Sequence, residues 1–180
     1  LAERIIKESF PGKVFFCNSG AEAIEGAIKF ARKFGSESGR YEIITMKNAF
    51  HGRTLAAVTA TGQKKYLEGF EPLPEGFKSV AYNDIDALRK AISDKTVGII
   101  IELVQGEGGI NIADQDFVLS LRKLCDEKKM LLIVDEVQTG IGRTAKMFAY
   151  QHYGITPDIM TLAKALGGAL PIGVMVAKKE

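Results

Sequence analysis

The chain has 180 residues, 46% of them hydrophobic and 26% charged, with a formal net charge of +2. That is enough apolar side chain for one sizeable core, and too little positive charge for a nucleic-acid or anionic-membrane surface. No run approaches the ~20 apolar residues of a membrane span, and Cys17 and Cys125 lack the spacing of a zinc site or a disulfide framework, which fits a reducing cytoplasm.

In chain order, "LAERIIKESF" opens in helical rhythm without an initiator methionine, and the chain stops just after the strand-like "VMVAKKE". It therefore reads as an interior piece of a longer protein. Strands are expected at "KVFFCN", "YEIITM", "KSVAYN", "TVGIIIEL", "MLLIVDEV", "PDIMTLA" and "IGVMVAK", and helices at "AEAIEGAIKFARKFG", "DIDALRKAIS" and "DQDFVLSLRKLCDEKK". Alternation of the two predicts an α/β fold with a largely parallel sheet, its strands apolar nearly throughout because helices cover both faces. In the first of these helices Ala23, Ala27, Phe30 and Phe34 recur at helical spacing and mark the expected buried face. The glycine-, proline- and charge-rich stretch 62–76 reads as a surface excursion.

Ligands of such sheets sit beyond the carboxyl ends of the strands, so the strand-to-loop junctions are the places to look. In "CNSGAEA", Ser19 and Glu22 match an S-x-x-E capping box; the same turn, with Gly20 and Ala21, also suits a phosphate at a helix start. In "NAFHGRT", Phe50 fits either the core or a stacking face, and Arg53 either solvent or a carboxylate partner. His51 has no second histidine nearby, so no catalytic role is assigned to it. "ELVQGEGGI" places Glu102 and Glu107 in a glycine-rich loop, as an acid/base pair, hydrogen-bond anchors or plain loop charges. "MLLIVDEVQTG" ends an apolar strand in Asp135-Glu136, like the magnesium-holding end of a P-loop NTPase, but the chain has no G-x-x-x-x-G-K-[ST]. A buried Asp135 then needs another cation as its partner. Lys164 is the only charged residue between Asp158 and Lys178. In so apolar a setting a lysine amine is expected to be nucleophilic and able to form a Schiff base. A phosphate turn, a stacking ring, a strand-end aspartate and an isolated lysine together suit pyridoxal 5′-phosphate (PLP).

"FFCNSGAEA", "FHGRTL", "TATGQ", "QGEGG", "DEVQTGIGRT", "FAYQHYGITPDIMTLAKALGG" and "LPIG", in that order over essentially the whole chain, resemble the class III (subgroup II) PLP-dependent aminotransferases. The resemblance implies fold type I, with residues 1–180 forming most of the large PLP-binding domain around a mostly parallel seven-stranded sheet. The amino-terminal arm and the small domain would lie outside them. It implies that Ser19, Gly20 and Ala21 hold the cofactor phosphate, that Phe50 and Val137 flank the ring, and that Asp135 pairs with the ring nitrogen. Gln138 would reach the ring hydroxyl and Lys164 would form the Schiff base and shuttle the proton. Arg53 would contact a substrate carboxylate, and Glu107 would act as a gate-like glutamate. Departures fall at Ile24, Leu103 and Ala169, where many relatives have asparagine, proline and glycine. The branch most resembled moves the amino group of N-acetylornithine to 2-oxoglutarate in arginine biosynthesis, as a cytoplasmic homodimer with no nucleic-acid or membrane partner and no metal. The 4-aminobutyrate, ornithine and succinylornithine branches are the alternatives, followed by an aminomutase or decarboxylating relative and an inert subunit that keeps the fold.

Overall fold

The computed structural model describes residues 1–179. Its elements are α1 (Ala2–Glu8), β1 (Gly12–Cys17), α2 (Gly20–Gly35), β2 (Glu42–Met46), α3 (Leu55–Thr61), β3 (Phe77–Val80), α4 (Ile85–Ala91), β4 (Thr96–Ile101), β5 (Val104–Gln105), β6 (Asn111–Ile112), α5 (Gln115–Lys128), β7 (Leu131–Asp135), β8 (Ile159–Leu162) and β9 (Gly173–Lys178). Seven strands form one sheet in the order β1-β9-β8-β7-β4-β2-β3, and β5 pairs with β6 as a separate two-residue ladder. Strands β8, β7, β4, β2 and β3 are mutually parallel, while β9 is antiparallel to both β8 and β1. The carboxyl ends of every sheet strand except β9 therefore share one edge, and β9 begins there. The seven expected strands are the seven strands of the sheet.

Period-two alternation divides the core. Ile44, Met46, Ile99, Ile101, Leu132 and Val134 face α1, α4 and α5, which contribute Ile5, Leu88 and Leu121. Ile43, Ile100 and Ile133 face α2 and α3, through Ile24, Ala27, Ile28 and Ala57; Val97 joins this face out of alternation, where the register between β2 and β4 shifts. All six residues of β4 are buried, as a central strand covered on both faces requires. No helix among the described residues is long and apolar enough to cross a membrane.

The structure corrects the expected face of α2. Ala23 and Ala27 are buried, but Phe30 is 39% and Phe34 52% accessible. The face against the sheet is instead Ala23, Ile24, Ala27, Ile28, Ala31 and Gly35. Small and aliphatic side chains let the helix approach the sheet closely, whereas two phenylalanines would hold it off; they sit on the flank, where the Arg40 guanidinium lies over the Phe34 ring. Helix α3 was not expected at all. It has only seven residues, its buried face is mostly small (Ala57, Val58, Ala60, Thr61), and its N-cap Thr54 makes no side-chain cap. Glu25 on α2 supplies the cap instead, accepting from Thr54 Oγ1 and from the N–H groups of Ala56 and Ala57, a tertiary substitute for a local signal. Of the three departures, Ile24 and Leu103 are fully buried in the core. Ala169 takes φ +89°, the left-handed region that favours glycine.

Candidate active site

Five strand-to-loop junctions meet at the carboxyl edge around a cavity of about 430 Å³, a usual size for a small-molecule site. The first is the start of α2. Glu22 N–H donates to Ser19 Oγ (3.2 Å), and the Glu22 carboxylate accepts from Asn18 N–H (2.7 Å). These bonds to Asn18 hold the Glu22 carboxyl below the usual carboxylate range. The capping box is thus present, but its carboxylate reaches back one residue further than the cap. It leaves the Gly20 and Ala21 N–H groups, which have no intrahelical partner at a helix start, at the cavity with the positive end of a 16-residue helix behind them. Gly20 keeps this turn close to Val137: a Cβ would crowd both of its γ-methyls at 3.0 Å. Gly173, which opens β9, is required, since its Cβ would fall 2.0 Å from the Ser19 carbonyl oxygen.

Behind β7, Asp135 is 4% accessible and accepts three hydrogen bonds: from Val137 N–H (3.0 Å), from Thr161 Oγ1 on β8 (3.0 Å), and across a 2.7 Å contact with His51 Nδ1. The nearest partner of the buried Asp135 is therefore an imidazole of the protein itself, which serves as the expected cation when it is protonated. Burial alone would push the His51 imidazole down, but its hydrogen bond to Asp135, the charge of Asp135 and then that of Glu102 carry it upward overall. Among the described residues its Nε2 is buried without a partner, as is Nε2 of Gln138. Glu102, at the end of β4, is 3% accessible and accepts from Phe50 N–H (2.9 Å). Burial raises its carboxyl to about 7, against the opposing pull of His51; Asp135 adds to the rise, while the Phe50 N–H and Lys164 oppose it.

Lys164 follows β8 at the head of a short 3-10 turn, Lys164–Gly167, with φ +43°. Left-handed backbone at a residue with a side chain costs about 1–2 kcal/mol, strain of the kind that collects at functional sites. The side chain lines the cavity and is exposed to it. The expected desolvation of Lys164 by its apolar sequence neighbours is thus not what the structure shows: Ala163, Leu170, Pro171 and Ile172 line the same cavity, yet the lysine stands exposed in its opening.

Of the residues singled out from the sequence, Ser19, Gly20, Ala21, Phe50, Arg53, Asp135, Val137, Gln138 and Lys164 all line this one cavity. Glu107 does not; it is exposed in the turn between β5 and β6. His51, to which no catalytic role was assigned, and Glu102, for which three readings stood open, line it as well, and Leu170, Pro171 and Ile172 close one wall. The signal for His51 lay in the requirement for a cation beside Asp135, which the sequence could not connect across 84 positions.

Residues 1–180 match the aminotransferase class-III family model. The chain is 60% identical to the acetylornithine aminotransferase of Methanocaldococcus jannaschii over 185 residues, covering 100% of this chain and 46% of that protein. It is also 60% identical to the acetylornithine aminotransferase of Caldanaerobacter subterraneus subsp. tengcongensis, covering 100% of this chain and 47% of that protein. Among solved structures, the ornithine aminotransferase of Toxoplasma gondii superposes with a TM-score of 0.93 at 33% identity, over 98% of this chain and 44% of that one. The chain spans about half the length of the relatives it matches.

Proposed function

The chain belongs to the class III aminotransferase family, and from that premise we propose that residues 1–180 form most of the large cofactor-binding domain of a PLP-dependent aminotransferase. Its amino donor in this reading is N-acetylornithine and its acceptor 2-oxoglutarate, giving the semialdehyde and glutamate in arginine biosynthesis. The observation that carries the reading is the convergence of a free helix start, Asp135, Gln138 and Lys164 on one cavity. The choice of donor rests on the 51–60% identity to acetylornithine aminotransferases over the full chain. A cytoplasmic homodimer fits the same family; Leu170, 75% accessible on the cavity wall, is apolar surface that a partner subunit would cover.

The residues present fit the cofactor. The Gly20 and Ala21 N–H groups and Ser19 would hold its phosphate at the start of α2. Phe50 and Val137 offer the apolar surfaces for a flat ring, and the free Nε2 of Gln138 is a donor for the ring hydroxyl. When bound, PLP supplies an aldehyde that condenses with amines and a protonated ring that accepts the electrons of a broken C–H bond. Asp135 would keep the ring nitrogen protonated, because an anion beside a titratable nitrogen favours its charged form. His51 holds that carboxylate in place through the Nδ1 contact. Lys164 Nζ would tether the cofactor and, once released, carry the proton to and from the donor carbon as general base and acid. Arg53 would receive a substrate carboxylate at the cavity mouth. For Glu107 we keep the role of a gate-like glutamate, which requires its loop to meet parts of the protein outside this chain.

The test uses the full-length protein purified with PLP. Its visible absorbance is expected to bleach with N-acetylornithine and to return with 2-oxoglutarate, while Lys164→Ala abolishes both changes. Bleaching by ornithine or 4-aminobutyrate alone would keep the class and change the donor. Absence of any cofactor absorbance would overturn the reading.

A further inference from the structure

Arg53 differs from the other arginines that lie over aromatic rings. Arg32 sits over Phe77 and donates to the Glu75 carbonyl; Arg40 sits over Phe34 and donates to the Lys129 carbonyl. Arg53 also lies over rings, with Cζ 4.8 Å from the Tyr66 centroid and 5.8 Å from that of Phe50. Among the described residues, however, it makes neither a hydrogen bond nor an ion pair. Stacking engages the face of a guanidinium and leaves its edge, with the N–H donors, free for a planar anion.

Tyr66 is held in place for this contact. It ends the 3-10 turn Lys64–Tyr66 inside the stretch that reads as a surface excursion, yet the chain folds back on the Phe50 loop. His51 N–H donates to Thr61 Oγ1 (3.0 Å), and Gln63 Nε2 donates to the Ala49 carbonyl (2.8 Å). The Tyr66 ring then meets Phe50 edge to face, 5.8 Å apart and at 79°. An exposed arginine side chain has several rotatable bonds and loses that freedom on gripping a substrate. A ring already beneath the guanidinium removes part of the loss beforehand.

We infer that Tyr66 is a positioning residue for substrate selection: it holds the Arg53 guanidinium with its donor edge toward the cavity and so strengthens binding of donors that carry a carboxylate. This rests on the proposed role of Arg53 as the carboxylate contact. Because Tyr66 acts through Arg53, its effect falls on KM and only for such donors. An exposed cation–π contact corresponds to about 2- to 5-fold in affinity. Lys65 Nζ also lies 4.7 Å from the Tyr66 centroid, so a Lys65→Met variant separates that contact from the one to Arg53.

The experiment compares kcat/KM for N-acetylornithine and for its decarboxylated analogue N-acetylputrescine in the full-length holoenzyme. In Tyr66→Leu the ratio of the two is expected to fall about 2- to 5-fold, through KM of the carboxylate-bearing donor. Tyr66→Phe, which keeps the ring, and Lys65→Met are expected to keep the wild-type ratio. An unchanged ratio in Tyr66→Leu, beside a lowered one in Arg53→Ala, would overturn the inference and leave the role of Arg53 standing. An unchanged ratio in Arg53→Ala would overturn both. Equal losses for the two donors in Tyr66→Leu would mean a purely structural residue and would also overturn the inference.

Discussion

Two aspartates at opposite edges of the sheet divide structural charge from working charge. Asp158, just before β8, has both oxygens engaged: Oδ2 accepts from Arg122 Nη1 (2.8 Å) and from Leu132 N–H (2.8 Å), and Oδ1 from Lys178 Nζ (3.1 Å). These bonds tie α5, β7 and β9 to the start of β8. Asp135, at the end of β7, is more deeply buried, and its only ion-pair partner among the described residues is a titratable imidazole. Around it stand a second buried carboxyl, Glu102, and two donors with no partner, on His51 and Gln138. The charge at one edge is neutralised within the fold; the charge at the other is arranged around a cavity. Arg122 Nε is also buried without a partner among the described residues, but His51 and Gln138 line the cavity. A buried polar group left unmatched is costly, and where such groups face a cavity is where a ligand is to be sought.

The largest effect that would sharpen this contrast is on Asp135. Asp135→Asn removes the anion while nearly conserving volume, and turnover is expected to fall on the order of 100-fold or more. Steady-state assays on the full-length holoenzyme check this, with the fold monitored by circular dichroism; an unchanged rate would remove the role given to Asp135. Asp158→Asn is expected to do the reverse, costing on the order of 1–3 kcal/mol of stability because Arg122 and Lys178 lose a half-buried anion. Activity per folded molecule should stay near wild type. Urea melts alongside assays test it, and a specific loss of turnover would break the division between the edges.

The smallest effect concerns pH. Glu102 holds its proton to about 7 in the fold, against about 4.5 when unfolded, so the native state binds more protons than the unfolded state between those values. Stability therefore declines as pH rises from about 4.5 to about 7. The raised His51 value has the same sign: its contribution is complete below about 6.5 and is lost as pH climbs through its folded value. Glu102→Gln removes the first part. In cofactor-free protein the variant should show a flatter profile between pH 5 and pH 7, and a gain on the order of 2 kcal/mol at pH 8. Melts at the two ends of the range decide it; parallel wild-type and variant profiles would mean that Glu102 stays ionised throughout.

Much of this arrangement was legible in residue order. The β-branched and apolar runs of β2, β4 and β7 are too uniform for surface strands, and each ends in a junction that lines the cavity or leads to it. Local chemistry also announces the start of α2, because Ser19 and Glu22 satisfy helix-end donors within four residues. Helix α3 was not legible, since its cap comes from Glu25 on another helix. The flank position of Phe30 and Phe34 was not either, because helical spacing marks a stripe without saying which of its neighbours meets the sheet.

By itself, the sequence determined the alternation of strand and helix, the seven strands, and the junctions that carry polar residues; these depend on periodicity and on contacts a few residues long. Only the tertiary structure decided that His51 pairs with Asp135, that Glu102 is buried beside them, that Lys164 stands exposed in the opening, and that Tyr66 lies under Arg53. Each of those is set by strand order or by a loop folding back on itself. The energy of such a contact depends on distances of a few ångströms between residues far apart in the chain, which no local pattern encodes.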